Sequence, residues 1–217
     1  MPDRLVLEWR GEELHCFAER ALFWPRHSRL LLADLHLGKA DVFRRAGIAV
    51  PRGGTSHDLA RIEALLARCG ARELYVLGDL LHGPVPEAAW RERWRAWRGA
   101  RAALRVRVLA GNHDRRLDAA ELGVDVLPAQ LDDAPFRLSH LPPAPGAHGK
   151  ATICGHLHPV VKLEGVRWPC FWRRADTLVL PAFSAFTGGQ AVAPGDGWLG
   201  VCVPDAVVPL GAFPGAR

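Results

Sequence analysis

Five short apolar runs in this chain each end in residues that can hold a metal ion or move a proton. That repetition constrains the fold more than any other feature. Residues 29–33 (RLLLA) run into Asp34-Leu35-His36, and residues 73–77 (ELYVL) end in Gly78-Asp79. Residues 105–109 (RVRVL) lead into Gly111-Asn112-His113-Asp114. Residues 136–139 (FRLS) meet His140, and residues 151–154 (ATIC) end in Gly155-His156-Leu157-His158. Runs of this length and greasiness suit strands buried on both faces. Sheets of α/β proteins carry their chemistry at the C-terminal strand edges. Side chains two apart on a strand share a side, which pairs Asp34 with His36 and His156 with His158.

Taken singly, the blocks are weak. A turn capped by Asn112 explains Gly-Asn-His-Asp about as well as a site does. A lone histidine at a strand end, such as His140, is more often structural than a ligand. His148, in a Gly-flanked loop, competes with His140 for the same role, and His82 fits a place behind the ligands or on the surface. The His-x-His unit is the strongest metal-ligand arrangement of the set. Asn112 adds a neutral amide oxygen, and His113 an imidazole that can titrate near neutrality. Five such blocks, each after an apolar strand, do not assemble by chance.

The 217 residues, 49% hydrophobic and 24% charged, suffice for one substantial core and predict a single domain over residues 1–217. No apolar run approaches the roughly 18 residues of a spanning helix, and MPDRLVLEWRGEEL has no signal-peptide core. The five scattered cysteines lack CxxC spacing and read as reduced, mostly buried thiols of a cytoplasmic protein. A net charge of +5 and a pI near 9.3 suit a polyanionic partner such as DNA. A coding preference for Arg over Lys explains the charge equally well.

Periodicity predicts strands over 5–9, 14–17 and 21–24, the first two joined at Arg10-Gly11-Glu12. A helix over 55–69 carries a Thr55/Asp58 capping box, an apolar stripe of Leu59, Ile62, Leu66 and Cys69, and a stop at Gly70. A second helix over 86–100 places Trp90, Trp94 and Trp97 on one stripe. That stripe reads as core or homo-oligomer interface. With Arg91, Arg93, Arg95 and Arg98 around it, the sharper alternative is a nucleic-acid surface. Lys39, Arg44 and Arg45 can bind substrate phosphate oxygens, or sit solvated on a short helix. A modest helix over 115–123 and strands over 160–163, 166–172, 177–180 and 198–203 follow, the strands building a second sheet. Ser184, Thr187, Gly188 and Gly189 form a loop that can sit near the site, although nothing in its chemistry demands it.

The ordered blocks Asp-x-His, Gly-Asp, Gly-Asn-His-Asp, His and Gly-His-x-His resemble the metallophosphoesterase (calcineurin-like) superfamily, with no ligand position substituted. ADLHLGKADVFRRAGIAVPRG, with the later CFW and LVLPAFSAFTGG segments, is similar to the DNA ligase-associated metallophosphoesterase family. Members of that family are DNA damage response endonucleases, encoded beside a DNA ligase, a helicase and an exonuclease. The resemblance implies an α/β fold, a four-layer α-β-β-α sandwich of two mixed sheets flanked by helices. It implies one divalent metal on Asp34, His36, Asp79 and His158, and a second on Asp79, Asn112, His140 and His156, with Asp79 bridging. Mn²⁺ is expected by analogy, and Fe or Zn²⁺ fits the same mixed nitrogen and oxygen donors. A metal-activated hydroxide would then attack phosphorus, His113 would protonate the leaving alkoxide, and Asp114 would orient His113 or its loop. The implied activity is phosphodiester hydrolysis on DNA, with the ligase, helicase and exonuclease of the repair cluster as partners. The same ligands would serve a small-molecule nucleotide phosphodiesterase or phosphatase. A non-catalytic scaffold of this fold would lack motif residues that are all present here.

Overall fold

The computed structural model describes residues 3–50, 53–83, 89–144, 149–185 and 187–213. Its first sheet holds seven strands in chain order: β1 (Arg4–Trp9), β2 (Glu12–Phe17), β3 (Ala21–Trp24), β4 (Arg29–Leu32), β5 (Glu73–Leu77), β6 (Arg105–Leu109) and β7 (Asp125–Leu127). The tightly connected β1 to β4 pair antiparallel, and β4 to β7 pair parallel. Parallel neighbours need a crossover. Helices α1 (Lys39–Arg45) and α2 (Gly54–Cys69) lie between β4 and β5, α3 (Ala89–Ala100) between β5 and β6, and α4 (Ala119–Leu122) between β6 and β7.

The second sheet contains β8 (Gln130–Asp133), β9 (Phe136–Ser139), β10 (Ala151–Cys154), β11 (Val160–Leu163), β12 (Val166–Arg174), β13 (Thr177–Val179), β14 (Ala191–Val192), β15 (Trp198–Val203) and β16 (Ala206–Leu210). Its order is β14-β11-β12-β13-β10-β9-β8, with β15 on β12 and β16 on β15. At its centre β9, β10 and β13 run parallel.

Strand alternation sorts the core into layers. Leu30, Leu32, Leu74, Val76, Val106 and Val108 pack against the helices through Leu59, Ile62, Trp90 and Trp94. The intervening Leu31, Tyr75, Leu77 and Leu109 meet Phe136, Leu138, Ile153, Phe171 and Leu178 of the second sheet. A third cluster, including Cys154, Trp172, Val179 and Leu199, lies on that sheet's other face. Two mixed sheets with flanking helices match the expected architecture. Among the described residues no helix follows Leu122, and the helices between β4 and β7 pack on the first sheet.

Three local expectations change. The cap of α2 is Gly53, in the left-handed region at φ 87° with no side-chain bond, so Thr55 and Asp58 form no capping box. Both are buried instead, and Asp58 faces Arg61 at 3.0 Å. Arg61 in turn donates to the Phe183 carbonyl (2.8 Å), which draws the pair inward. The 115–123 helix shrinks to Ala119–Leu122, because the residues before it complete a turn in which the Leu117 N–H donates to the Asp114 carbonyl (2.8 Å). The short strands β7, β8, β14 and β16, two to five residues each, carried no readable alternation.

The tryptophan stripe of α3 is core. Trp90, Trp94 and Trp97 are 1%, 0% and 8% exposed, and the Trp94 indole N–H donates to the Leu122 carbonyl (2.8 Å). Neither a homo-oligomer face nor a DNA surface can be built from side chains already enclosed by their own chain. Residues 86–88 of the expected helix lie outside the described residues. Trp94→Ala is therefore expected to cost about 3–5 kcal/mol of stability. A denaturant midpoint that stayed put would return the stripe to the surface.

Candidate metal centre

The site forms where the parallel strands of both sheets end. Beyond β4 the backbone stays alongside the β5 exit: Asp34 N–H donates to Gly78 C=O (3.1 Å), His36 N–H to Asp79 C=O (2.9 Å) and Leu37 N–H to Leu80 C=O (2.8 Å). The second sheet joins at the same rim. Phe183 N–H donates to Ala33 C=O (2.8 Å), Gly155 N–H to His140 C=O (3.1 Å), and His156 N–H to Asp34 Oδ2 (2.9 Å). Glycines permit this crowding. Gly78 has φ 82°, and a Cβ there would overlap the His140 ring, while one on Gly155 would sit 2.7 Å from Asp34 Oδ2.

Five expected ligands hold left-handed backbones: Asp34 (φ 57°), His36 (48°), Asp79 (50°), His156 (71°) and His158 (49°). Each such non-glycine conformation costs on the order of 1 kcal/mol or more and persists only where its surroundings impose it. These outliers fall on the residues that the sequence marks.

The donor atoms gather into two groups. One oxygen or nitrogen each from Asp34, His36 and His158 lie within 4.8 Å of one another, and so do those of Asp79, His140 and His156. Backbone carbonyls set the rings. His140 Nδ1 donates to Leu77 C=O (3.0 Å) and His158 Nδ1 to Gly188 C=O (3.1 Å). A carbonyl only accepts, so in the neutral ring Nε2 is left with its lone pair. Each of those lone pairs faces an acceptor oxygen. His158 Nε2 lies 3.1 Å from Asp34 Oδ1, and both atoms are buried without a hydrogen bond. His140 Nε2 faces Asn112 Oδ1 at 3.0 Å and His156 Nδ1 at 3.1 Å. Acceptors aimed at acceptors repel unless a cation stands among them, so the donor set fits divalent metal ions.

Electrostatics agree. Asp34 and Asp79 are 0% and 2% exposed. Burial raises the Asp79 carboxyl, against the His113 N–H and His140 that favour its charge. Burial, with Lys39 beside it, lowers His36 to about 2, and burial also lowers His156. Both rings are thus kept neutral, as metal ligation requires.

The remaining expected residues divide. His113 stands at the rim, its side chain 41% exposed, its N–H donating to Asp79 Oδ1 (2.9 Å) and its Nε2 3.9 Å from Asp79 Oδ2. Asp114 orients the loop rather than the His113 ring: it accepts from the N–H groups of Leu81 (2.9 Å), Leu80 (3.3 Å) and Gly111 (2.9 Å). Lys39 reaches the site, where Asp34 and Asp79 support a charge that burial opposes, and donates to Thr187 Oγ1 (3.2 Å). Arg44 pairs with Asp41 on its own helix, and Arg45 is that helix's last residue. His148 lies outside the described residues.

The structure decides two positions that the sequence left open. The 184–189 loop does meet the site, through Thr187, Gly188 and the Ser184 N–H on Asp34 C=O (3.3 Å), because backbone groups make most of those contacts. His82 stacks on His113 with centroids 5.6 Å apart and planes 19° from parallel. It also meets His36 edge-on at 5.3 Å.

This fold and ligand set define a class. The calcineurin-like phosphoesterase profile matches residues 28–168, and the chain belongs to that family of divalent-metal enzymes that hydrolyse phosphate esters. The crystal structure of Pseudomonas putida nuclease MPE is similar over 95% of this chain and 100% of that one, with 33% identity and a TM-score of 0.82. The Escherichia coli phosphoesterase Yfce has 19% identity and a TM-score of 0.47, over 84% and 97% of the two chains. No curated protein sequence matches. Among the described residues no helix is long and apolar enough to cross a membrane.

Proposed function

We infer that this chain is a binuclear metal-dependent phosphodiesterase that cleaves DNA. The observation carrying the binuclear reading is the pair of donor groups whose lone pairs oppose one another at the rim. The likeness to a bacterial nuclease and the net charge of +5 support DNA as the substrate. The similarity to DNA ligase-associated enzymes supports a repair role beside a ligase, a helicase and an exonuclease.

Asp34, His36, Asp79 and His158 would hold one ion, and Asp79, Asn112, His140 and His156 the other. Mn²⁺ suits these nitrogen and oxygen donors. Bound divalent ions supply Lewis acidity toward phosphate oxygens and activate water. The chain's own groups do the rest. His113, half in solvent and anchored through its N–H, would hand a proton to the leaving alkoxide. Asp114 ties the Leu80–Leu81 backbone to Gly111 and so keeps the His113 loop in register. Lys39 brings a cation to the substrate side of the carboxylates.

The test is hydrolysis of bis-p-nitrophenyl phosphate, p-nitrophenyl phosphate, and single- and double-stranded DNA after loading with Mn²⁺. Diester turnover above monoester turnover, with DNA cut, is the expected result. Monoester preference with intact DNA would replace the nuclease by a small-molecule phosphatase.

A further inference from the structure

The second sheet's outer face carries a cavity of about 710 Å³ whose lining includes chain neighbours of the metal ligands. Phe136, Leu138, Ile153 and Leu178 point into the inter-sheet core. Strand alternation therefore turns Arg137, Thr152 and Thr177 outward, and these line the cavity. Trp172 forms part of its wall. Among the described residues no helix is available to cover this face.

One end of the cavity is lined by residues that neighbour the ligands along the chain. Leu141, the residue after His140, lines it, and so does Leu157, which stands between His156 and His158. Leu141 is 55% exposed, an unusual place for a large aliphatic side chain, and Pro142 and Pro143 continue the apolar lip. Cations line the other parts. Arg137 and Lys150 share Asp132, at 2.8 and 2.9 Å, so two positive charges meet one negative. Arg174 is exposed and makes no ion pair among the described residues, and the lining acid Asp176 is neutralised by Arg10 at 2.6 Å.

We propose that this trough is the track for the nucleic-acid strand that continues from the scissile phosphate, with Lys150, Arg174 and Arg137 on its phosphates and the Leu141–Pro143 lip against its bases. The proposal rests on the nuclease reading above. Its particular content is the route, from the ligand histidines over the outer face of β9, β10 and β13. An excess of cations beside apolar platforms is what a single strand requires. A small neutral ligand would find no use for the charges, and a protein partner none for a lining that reaches the residues next to the ligand histidines.

The test is a Lys150→Ala/Arg174→Ala double variant, both side chains being exposed and remote from the core. Its turnover of bis-p-nitrophenyl phosphate should equal that of the parent, because that substrate is too short to enter the trough. Its KM for an oligonucleotide should rise about tenfold or more, with a salt dependence of log K shallower by about 1.4, as two lost phosphate contacts to a single strand predict. Leu141→Asp should raise the same KM by repelling the strand. An unchanged KM and salt slope, with the parent cutting DNA, would overturn the track and leave the nuclease standing. Failure of the parent to cut DNA while it hydrolyses the small diester would overturn the nuclease reading itself. A changed oligomeric state in light scattering, with DNA kinetics unaltered, would assign the face to a second copy and overturn the proposal.

Discussion

Asp79→Asn is expected to abolish metal-dependent activity while leaving the fold intact or slightly more stable. The substitution keeps an oxygen at the position that accepts the His113 N–H (2.9 Å), so the rim geometry survives. What it removes is charge. Asp79 is 2% exposed, and burial already disfavours its ionised form. A buried carboxylate with no ion beside it is a liability, which the neutral amide relieves. The parent should therefore gain stability on adding Mn²⁺, by about 2.7 kcal/mol at a hundredfold excess over Kd. The variant should gain far less. Losing several kcal/mol of charge stabilisation in the transition state corresponds to at least about 10³ in turnover. Paired thermal scans with and without metal check this, and a variant with the parent's metal shift would remove Asp79 from the centre.

Much of this was legible because the site residues sit where local rules are strong. The five runs mark β4, β5, β6, β9 and β10 to within a residue: β4, β5 and β10 are buried almost throughout and read as near-unbroken runs, while β6 and β9 alternate around Arg107 and Arg137. Glycines before Asp79, Asn112 and His156 announce close approach, and the structure places neighbouring side chains where their Cβ atoms would be. Other parts depend on tertiary partners that a single chain does not spell out. Thr55 and Asp58 have the spacing of a cap, yet Asp58 pairs with Arg61, which also donates to the carbonyls of Phe183 and Glu19, distant in sequence. The α3 stripe identified a buried face without saying what buries it; α2, α4 and the sheet do. The 184–189 loop contributes backbone atoms, to which composition is blind.

The left-handed ligands explain why such a centre tolerates few substitutions. Holding five non-glycine residues at positive φ requires hydrogen bonds on both sides of the rim, and Asp34 and Asp114 supply several of them through their carboxylates. Asp34 thus has two tasks: Oδ2 accepts the His156 N–H, while Oδ1 is left facing His158 Nε2. The backbone strain and the orphaned acceptors are two sides of one arrangement. The fold spends stability to aim lone pairs inward, and a bound cation offsets it.

His113→Ala should separate proton transfer from metal binding. The ring is at the rim and more exposed than the buried ligands, so its removal leaves both donor groups in place. Metal content and the metal-induced thermal shift are expected to match the parent. Turnover on DNA or an alkyl diester should fall by about 10²–10⁴, the usual contribution of a positioned general acid. With a nitrophenyl leaving group, which departs without a proton, the loss should be much smaller. His82 cannot substitute for the missing acid: burial, with Lys39 and His113 nearby, lowers it to about 4, so at neutral pH it carries no spare proton. His82→Ala accordingly should cost less than His113→Ala on every substrate. Equal losses for nitrophenyl and alkyl esters in the His113 variant would mean that the ring orients substrate instead of protonating it. A parallel loss of metal would place it among the ligands.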